Sequence, residues 1–259
     1  MTRPGVRSPP DPLKIMHRFY CSHADFASKI IRINDSHEIH HIKDVLRLKA
    51  GDRLGIFNSK NEEALAVITS VKDTEVAVRI ESVRQASTGK TKIILACAVP
   101  KKAKFEFIIE KCTELGVDEI IPLKTKRTEV IFSKEKLAPK QERFQKVAVN
   151  AAKQSGRLNI PKLHPMTSLA DALKNLPAQG LALIPSLNGK PQHIRAVLSC
   201  ADKIVPVTIF IGPEGDFTPD EVAAAQAAGC ISVSLGDTVL KVDTAAMTTV
   251  ALCRFLLYN

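Results

Sequence analysis

The residues best suited to binding a ligand lie in residues 207–221, where an apolar run leads into a turn rich in glycine and proline. Gly212 and Gly215 have no Cβ atom, so the backbone there can approach a ligand closely. Thr218 and Glu221 have the spacing of a capping box and predict a helix directly after the turn. A strand ending in such a turn can hold a ligand at its carboxyl end. A plain tight turn would have the same pattern.

Two further turns have the same form. Residues 235–245 follow one predicted strand and residues 185–189 follow another. Because the carboxyl ends of parallel strands meet at one edge of a sheet, the three turns can form one pocket. None of them contains G-x-G-x-x-G or G-x-x-x-x-G-K-[ST], which argues against a dinucleotide fold and against a P-loop.

Arg157 is a second residue with possible chemistry, and it follows Gly156 at the end of a predicted helix. Its planar fork of donors could hold an anionic or carbonyl-rich substrate. Glycine and arginine also suit an ordinary helix C-terminus followed by a surface loop. The sequence leaves both interpretations open.

The net charge of +10 is unevenly distributed. Lys and Arg exceed Asp and Glu by 4 in residues 1–90 and by 7 in residues 91–160, whereas residues 161–259 have a net charge of −1. This distribution favours contact between the front of the chain and a polyanion such as nucleic acid. A well-solvated basic face is the alternative.

A predicted helix in residues 36–46 contributes to this basic region. Lys43 and Arg47 are four positions apart, so they are expected to share a face and, with Arg18, to contact phosphates. His40 and His41 are neighbours and point to different faces, so we expect no shared metal ion. The six cysteines are scattered without a C-x-x-C pair, which predicts buried thiols in a reducing compartment and no zinc site.

The elements that position these residues fall into two patterns. Residues 1–15 contain four prolines and are predicted to be a disordered leader, and residues 85–90 are the best linker. Residues 16–86 contain short β-rich runs and one helix, which predict a small β-barrel. Ser36 is the predicted cap of the helix. The predicted strands are 17–20, 29–33, 53–57, 64–70 and 75–83. Residues 91–259 alternate strands and helices, which predicts an α/β domain with a mostly parallel sheet covered on both faces. Its predicted strands are 92–99, 119–123, 162–163, 181–184, 207–211 and 231–235, and its predicted helices are 105–115, 140–154, 168–176, 219–228 and 244–257.

Seven ordered motifs resemble the bacterial ribosomal RNA small subunit methyltransferase E family. They are HRFY at 17–20, HHIKDVLR at 40–47, EKCTELG at 110–116, KQSGR at 153–157, IGPEG at 211–215, LGDTVL at 235–240 and TA at 244–245. The resemblance covers residues 16–259. It implies methylation of N3 of a uridine in 16S rRNA, with S-adenosylmethionine as the methyl donor.

The resemblance also implies the fold and the partners. A PUA-like N-terminal barrel would contact RNA, and a SPOUT-type C-terminal domain would contain a trefoil knot with the cofactor bent between the three turns. A cytoplasmic homodimer would act on 16S rRNA or on the assembled small ribosomal subunit, without a metal and without a membrane. No run of 18 apolar residues is present in the sequence, in agreement with the last expectation.

The resemblance assigns residues to three roles. Arg157 would hold the negative charge that develops on the uridine, across the subunit interface in a dimer, and Glu214 is a second catalytic candidate whose main task would be to fix its loop. The expected RNA-binding residues are Arg18, Lys43, Arg47, Lys101, Lys104 and Arg127. The expected cofactor-binding residues are Ile184, Pro185, Ile211, Gly212, Pro213, Glu214, Gly215, Leu235, Gly236, Leu240, Val242 and Ala245.

Five positions depart from the family pattern. Asp216 replaces a usual glycine, Thr238 and Lys241 replace usual arginines, and Asp243 and Lys153 replace usual glutamates. Backbone-mediated cofactor binding is expected to tolerate these changes. Two alternatives to the uridine-N3 activity therefore stay open, a ribose 2′-O-methyltransferase of the same fold class and a non-catalytic RNA-binding protein.

Overall fold

A computed structural model describes residues 17–85, 91–101, 104–129, 134–186, 190–201 and 205–257. They form two compact units. The first contains the described residues up to Gln85 together with Lys153–Asn159, and the second contains the other described residues. The predicted leader, residues 86–90 of the predicted linker and residues 187–189 of the third turn lie outside the described part of the chain.

The first unit is built on a five-stranded sheet in the order β1-β3-β4-β5-β2. The β4–β5 ladder is antiparallel and has two register shifts, one between Leu65 and Ala66 and one between Ile68 and Ser70. Such bulges bend a strand and increase its twist, which gives a curled sheet. All five predicted strands are present. Their bounds are Arg18–Tyr20 (β1), Ile30–Ile33 (β2), Arg53–Phe57 (β3), Glu62–Val71 (β4) and Val76–Gln85 (β5).

The helix of the first unit differs from the prediction in both its start and its end. Helix α1 covers Ser36–His40 and continues as one π-helical turn, His41–Val45. Asp35 is its N-cap and accepts the first backbone N–H groups, so the prediction of Ser36 as the cap was wrong. Arg47 lies beyond the helix with φ of +54°, so it does not share a helical face with Lys43 as predicted.

The second unit contains an eight-stranded sheet in which every observed pairing is parallel. Seven strands follow the order β11-β13-β10-β12-β6-β7-β8, and β9 pairs with β7. The strands are Ile93–Ala98 (β6), Glu119–Lys124 (β7), Lys162–Leu163 (β8), Thr167–Ser168 (β9), Leu181–Pro185 (β10), Gln192–His193 (β11), Val207–Ile211 (β12) and Ile231–Ser234 (β13). Sequence reasoning missed the two-residue strands β9 and β11.

Helices cover both faces of this sheet, as predicted. Along β12, Ile209 packs into one apolar cluster with Ile109 and Val250, whereas the adjacent Phe210 packs into another with Val222. This alternation is the period of two expected of a strand buried on both sides. The helices are Lys104–Glu114 (α2), Lys134–Ser155 (α3), Leu169–Lys174 (α4), Ile194–Ser199 (α5), Pro219–Ala227 (α6) and Val242–Leu257 (α7). Sequence analysis missed α5 and placed the start of α3 too late.

The cysteines are free thiols, and Cys97, Cys112, Cys230 and Cys253 are buried, as predicted for most of them. Burial raises the pKa of Cys112 to about 12, so this thiol stays protonated and acts as an apolar side chain. None of the described helices is both long and apolar enough to cross a bilayer.

Candidate active site

A cavity of about 340 Å³ lies in the second unit, at the carboxyl ends of four neighbouring strands. These strands are β13, β10, β12 and β6, and the start of α7 completes the wall. All the predicted cofactor-binding residues line this cavity except Ile184 and Gly215. The three turns that the sequence placed at one sheet edge therefore do contribute to one pocket.

Sequence reasoning missed part of the lining. These residues flank the predicted positions on the same turns or follow β6, and they are Pro100, Ser186, Asp216, Val233, Ser234, Thr238, Val239 and Lys241. Lys104, expected to contact RNA, also lines the cavity. The order of the strands could have suggested the residues after β6, because β6 is the direct neighbour of β12.

The two exceptions have structural roles. Ile184 is fully buried in the apolar cluster that contains Phe210. Gly215 is exposed, and its backbone carbonyl accepts a hydrogen bond from the guanidinium of Arg127. Neither residue presents a side chain to the cavity, so the prediction of direct cofactor contact finds no support for them.

Gly212 is required by the packing behind the loop. A Cβ atom at this position would lie 3.1 Å from the backbone nitrogen of Phe217 and 3.1 Å from its Cδ2 atom. Phe217 is fully buried, so its ring cannot move away without opening the core. The absence of a Cβ atom at Gly212 therefore lets the turn after β12 pack directly against Phe217.

Asp216 adopts a left-handed backbone with φ of +60°. Its N–H donates to the carbonyl of Pro213 at 2.9 Å, and its Oδ1 accepts from the N–H of Phe217 at 2.8 Å. Glycine adopts this conformation freely, and aspartate tolerates it because its short side chain can bond to the local backbone. The turn is thus compatible with either residue.

The loop is fixed at its far end by the predicted capping box. Thr218 Oγ1 accepts from the N–H of Glu221 at 3.3 Å, and Glu221 Oε2 accepts from the N–H of Thr218 at 2.9 Å. The second carboxylate oxygen of Glu221 accepts from the backbone N–H of Lys126 at 2.8 Å. Together with the bond from Arg127 to Gly215, this contact ties the loop to the segment that follows β7.

Glu214 lies on the exposed side of the same loop and lines the cavity. Its Oε1 accepts a hydrogen bond from the backbone N–H of Lys101 at 3.1 Å. The side chain of Lys101 pairs with Glu129 at 2.5 Å, and this hydrogen bond raises the pKa of Lys101. Glu214 therefore joins the turn after β12 to the segment after β6.

Arg157 belongs to the first unit and is not among the residues that line the cavity. It follows Gly156, which ends α3 with φ of +75°, and its carbonyl accepts from Arg18 Nη2 at 3.0 Å. The backbone thus has the helix-terminus geometry that the sequence offered as one interpretation. The role of the side chain in chemistry stays a prediction.

Arg18 does not suit the RNA-contact role predicted for it. Its side chain is only 5% exposed and pairs with Glu63 at 2.5 Å. The guanidinium also donates to the carbonyls of Lys153 and Arg157 and lies 4.7 Å from the centre of the Phe57 ring. A guanidinium enclosed in this way cannot reach a phosphate, so we exclude it from the RNA-binding residues.

The other predicted RNA-binding residues are exposed or line the cavity. Lys43 pairs with Asp73, and this hydrogen bond raises the pKa of Lys43. Arg47 is exposed on its left-handed turn. Among the described residues, no group of three or more His, Cys, Asp and Glu side chains could hold a metal ion.

Both units of the chain are similar to known RNA methyltransferases. Residues 87–254 match the sequence profile of an RNA methyltransferase domain, and residues 33–81 match that of an RNA methyltransferase PUA domain. Ribosomal RNA small subunit methyltransferase E of Rickettsia conorii is 32% identical over 241 residues, which are 93% of this chain and 96% of that protein. The chain belongs to the ribosomal RNA small subunit methyltransferase E family.

Other members of the methyltransferase E family agree with this assignment. The Bacillus subtilis protein is 30% identical over 215 residues, 81% of this chain and 84% of that protein. The crystal structure of the Neisseria gonorrhoeae protein, bound to S-adenosylmethionine, has a TM-score of 0.83 at 25% identity and covers 93% of this chain and 98% of that one. The resemblance seen in the sequence is confirmed, as is the fold of an α/β SPOUT-type unit and a PUA-like β unit. The trefoil knot stays a prediction.

Proposed function

We propose that this chain methylates N3 of a uridine in the 16S rRNA of the small ribosomal subunit, with S-adenosylmethionine as the methyl donor. The observation that carries the proposal is the cavity at the carboxyl ends of β10, β12 and β13, lined by the motifs shared with the family. The relatives that support it are named small subunit rRNA methyltransferases, and the Neisseria gonorrhoeae protein binds S-adenosylmethionine.

The lining of the cavity fits this cofactor. Its volume of about 340 Å³ falls in the range of small-molecule sites. Ile211, Leu235 and Leu240 provide apolar surface for an adenine ring, and the turn backbones provide donors and acceptors for its edge. The ammonium of Lys241, which also lines the cavity, would favour the carboxylate of the cofactor.

When bound, the cofactor supplies an electrophilic methyl group. The protein must then present N3 of uridine, which lies on the pairing edge and carries a proton, so the base has to be unpaired or extruded. Loss of that proton leaves negative charge on the base, and the guanidinium of Arg157 would stabilise it. In the homodimer that we also propose, Arg157 would serve the site of the other copy.

Glu214 has a different role in this proposal. Its Oε1 already accepts the backbone N–H of Lys101, which makes the side chain a brace between two turns. Proton transfer is the second role that it could have, since the carboxylate also lines the cavity. Substitution of the carboxylate by an amide, which keeps an acceptor but removes the base, separates the two roles.

RNA contact would come from the exposed cations Lys43, Arg47, Lys101 and Arg127, with Lys104 nearest to the target nucleotide. The exposed partners of Lys43 and Lys101 are carboxylates, and exposed ion pairs contribute little, so phosphates can displace them. Arg127 also braces Gly215, so RNA contact there would affect the cofactor loop. A substrate in the ribosome places the enzyme in the cytoplasm.

The test is methylation of small ribosomal subunits, and separately of free 16S rRNA, prepared from cells that lack this enzyme. Mass spectrometry of the digested nucleosides should show 3-methyluridine. A ribose 2′-O-methylated nucleoside would overturn the assignment of the base. Calorimetric binding of S-adenosylmethionine without any methylation would instead indicate a non-catalytic RNA-binding protein. Unchanged turnover of Arg157→Ala would remove Arg157 from the mechanism.

A further inference from the structure

Four charged side chains of the first unit converge on the segment Lys153–Asn159. They are Arg18, Glu38, Glu63 and Lys153, which we call the charged cluster, and their side chains are 5%, 9%, 0% and 12% exposed. Charged side chains are almost never buried to this extent unless they are paired. The groups that these side chains bind therefore indicate which part of the chain the cluster holds in place.

Arg18 binds the backbone on both sides of the end of α3. Its Nε donates to Glu63 at 2.5 Å, its Nη1 to the carbonyl of Lys153 at 3.2 Å, and its Nη2 to the carbonyl of Arg157 at 3.0 Å. The last carbonyls of a helix have no partner within the helix, so the guanidinium completes the helix terminus. Glu63 is also paired with Arg84, which holds its carboxylate in place.

Lys153 fixes the same segment through its side chain. Its Nζ donates to both carboxylate oxygens of Glu38, at 2.7 Å and 2.9 Å, and lies 5.8 Å from the centre of the Phe19 ring. Glu38 belongs to α1, which is capped by Asp35. The ammonium of Lys153 therefore ties the end of α3 to α1 through the carboxylate of Glu38.

Stability alone does not account for such a cluster. A buried ion pair adds little net stability compared with apolar residues of the same volume, because both charges lose their hydration. The planar guanidinium of Arg18 and the ammonium of Lys153, which donates to both oxygens of one carboxylate, do however hold the groups that they bind in one place. The groups fixed here are the carbonyls of Lys153 and Arg157, which flank the turn at Gly156.

We propose that Arg18 and the Lys153–Glu38 pair are positioning residues for Arg157. The first unit then has a second task beside RNA contact, because it holds the backbone from which the Arg157 side chain extends. This inference rests on the proposed role of Arg157 at the uridine. A displacement of about 1 Å at a reacting group can lower turnover by on the order of 100-fold.

The experiment uses the full chain and measures kcat, KM for small ribosomal subunits and the Kd for S-adenosylmethionine. Lys153→Glu places two carboxylates together at Glu38, and we expect kcat to fall by about 10- to 100-fold while the Kd for the cofactor stays unchanged. The double variant Glu38→Lys, Lys153→Glu should restore most of kcat. Lys146→Glu is the matched control, since Lys146 is exposed on the same helix.

Arg18→Lys provides an independent and milder variant. It keeps a cation beside Glu63 but lacks the fork that reaches two carbonyls, so kcat should again fall with little change in cofactor affinity.

Two results would overturn the inference. One is full kcat in both Lys153→Glu and Arg18→Lys. The other is an equal loss of kcat and cofactor affinity, which indicates a merely structural role. If these variants have full activity while Arg157→Ala has none, only the positioning role fails. If Arg157→Ala is fully active, the proposed role of Arg157 fails first.

Discussion

Oε1 of Glu214 accepts a hydrogen bond of 3.1 Å from the backbone N–H of Lys101. Glu214 follows β12 and Lys101 follows β6, which are adjacent parallel strands. The bond therefore closes one side of the cavity by joining two turns that the strands deliver to the same edge. This geometry makes the carboxylate a fixed part of the wall and not only a group available for proton transfer.

Substitutions at Glu214 should distinguish these roles. Glu214→Ala removes the acceptor, and a net hydrogen-bond contribution of about 0.5–1.5 kcal/mol predicts a Kd for S-adenosylmethionine that is roughly 2- to 12-fold higher. Glu214→Gln keeps an acceptor oxygen and should bind the cofactor and turn over nearly as the unchanged protein does. Tight cofactor binding by Glu214→Gln with turnover lost would show that bracing is not the only role of Glu214 and would support proton transfer.

Two glycines of one loop should respond differently to alanine. In Gly212→Ala the new methyl group meets Phe217 at 3.1 Å, and overpacking of this kind costs about 1–3 kcal/mol. We expect a lower melting temperature and weaker cofactor binding. In the control Gly215→Ala, the nearest atom is Arg127 Cδ at 3.4 Å, an ordinary van der Waals distance, so both quantities should change little. Equal melting temperatures for the two variants would exclude this explanation of Gly212.

The left-handed backbone of Asp216 predicts the effect of replacing this residue by glycine. Asp216→Gly should retain the melting temperature to within a few degrees, because glycine adopts φ of +60° without strain. Asp216→Val should lower stability by about 1–2 kcal/mol, because a branched side chain clashes in this conformation and cannot bond to the N–H of Phe217. Thermal unfolding measures both changes, and a stable Asp216→Val protein would show that the turn is not constrained as described.

His41 should make the stability of the protein depend on pH. Burial and then the Lys153 ammonium lower the pKa of His41 below 6.5, with smaller contributions of the same sign from His37 and His17 and an opposing one from Glu38. The unfolded chain therefore binds the proton more readily. The stabilising contribution is complete above the ordinary pKa and is lost as the pH falls through the lower pKa of the folded state.

The free energy of unfolding should accordingly decrease between about pH 7 and pH 5, measured by urea denaturation. His41→Phe keeps a ring against Phe19, which the imidazole contacts edge-on at 5.6 Å, and it removes the titrating group. We expect a smaller decrease in this variant over the same range. An unchanged pH dependence would mean that His41 is not the group responsible.

Much of the cavity wall was accessible from sequence because it depends on local patterns. The capping box of Thr218 and Glu221 is present as predicted, and β3, β8 and β12 have the predicted bounds. A cap or a period of two is set by interactions within a few residues, so the residues themselves specify it. The parallel order of the strands then brings the turns at 185, 211 and 235 to one edge.

Prediction from local sequence patterns failed for the cap and for the end of helix α1. Asp35 and Ser36 are both good caps, and in the folded chain it is Asp35 that accepts the N–H groups of His37 and Glu38. Arg47 fits a helical face by spacing, but the π-helical turn at His41–Val45 ends the helix before it. One inserted residue in a helix changes which side chains share a face.

What the sequence by itself determined is the longer strands and helices, the shared edge of the three turns and, through its ordered motifs, the family. Only the tertiary structure decided that Arg18 is buried beneath the end of α3, with bonds to carbonyls 135 and 139 positions away. It also decided that Lys153 meets Glu38 rather than any other carboxylate. A long-range ion pair leaves no spacing signal in the sequence, because every exposed acid is an equivalent partner until folding brings one of them within reach and excludes water from the pair.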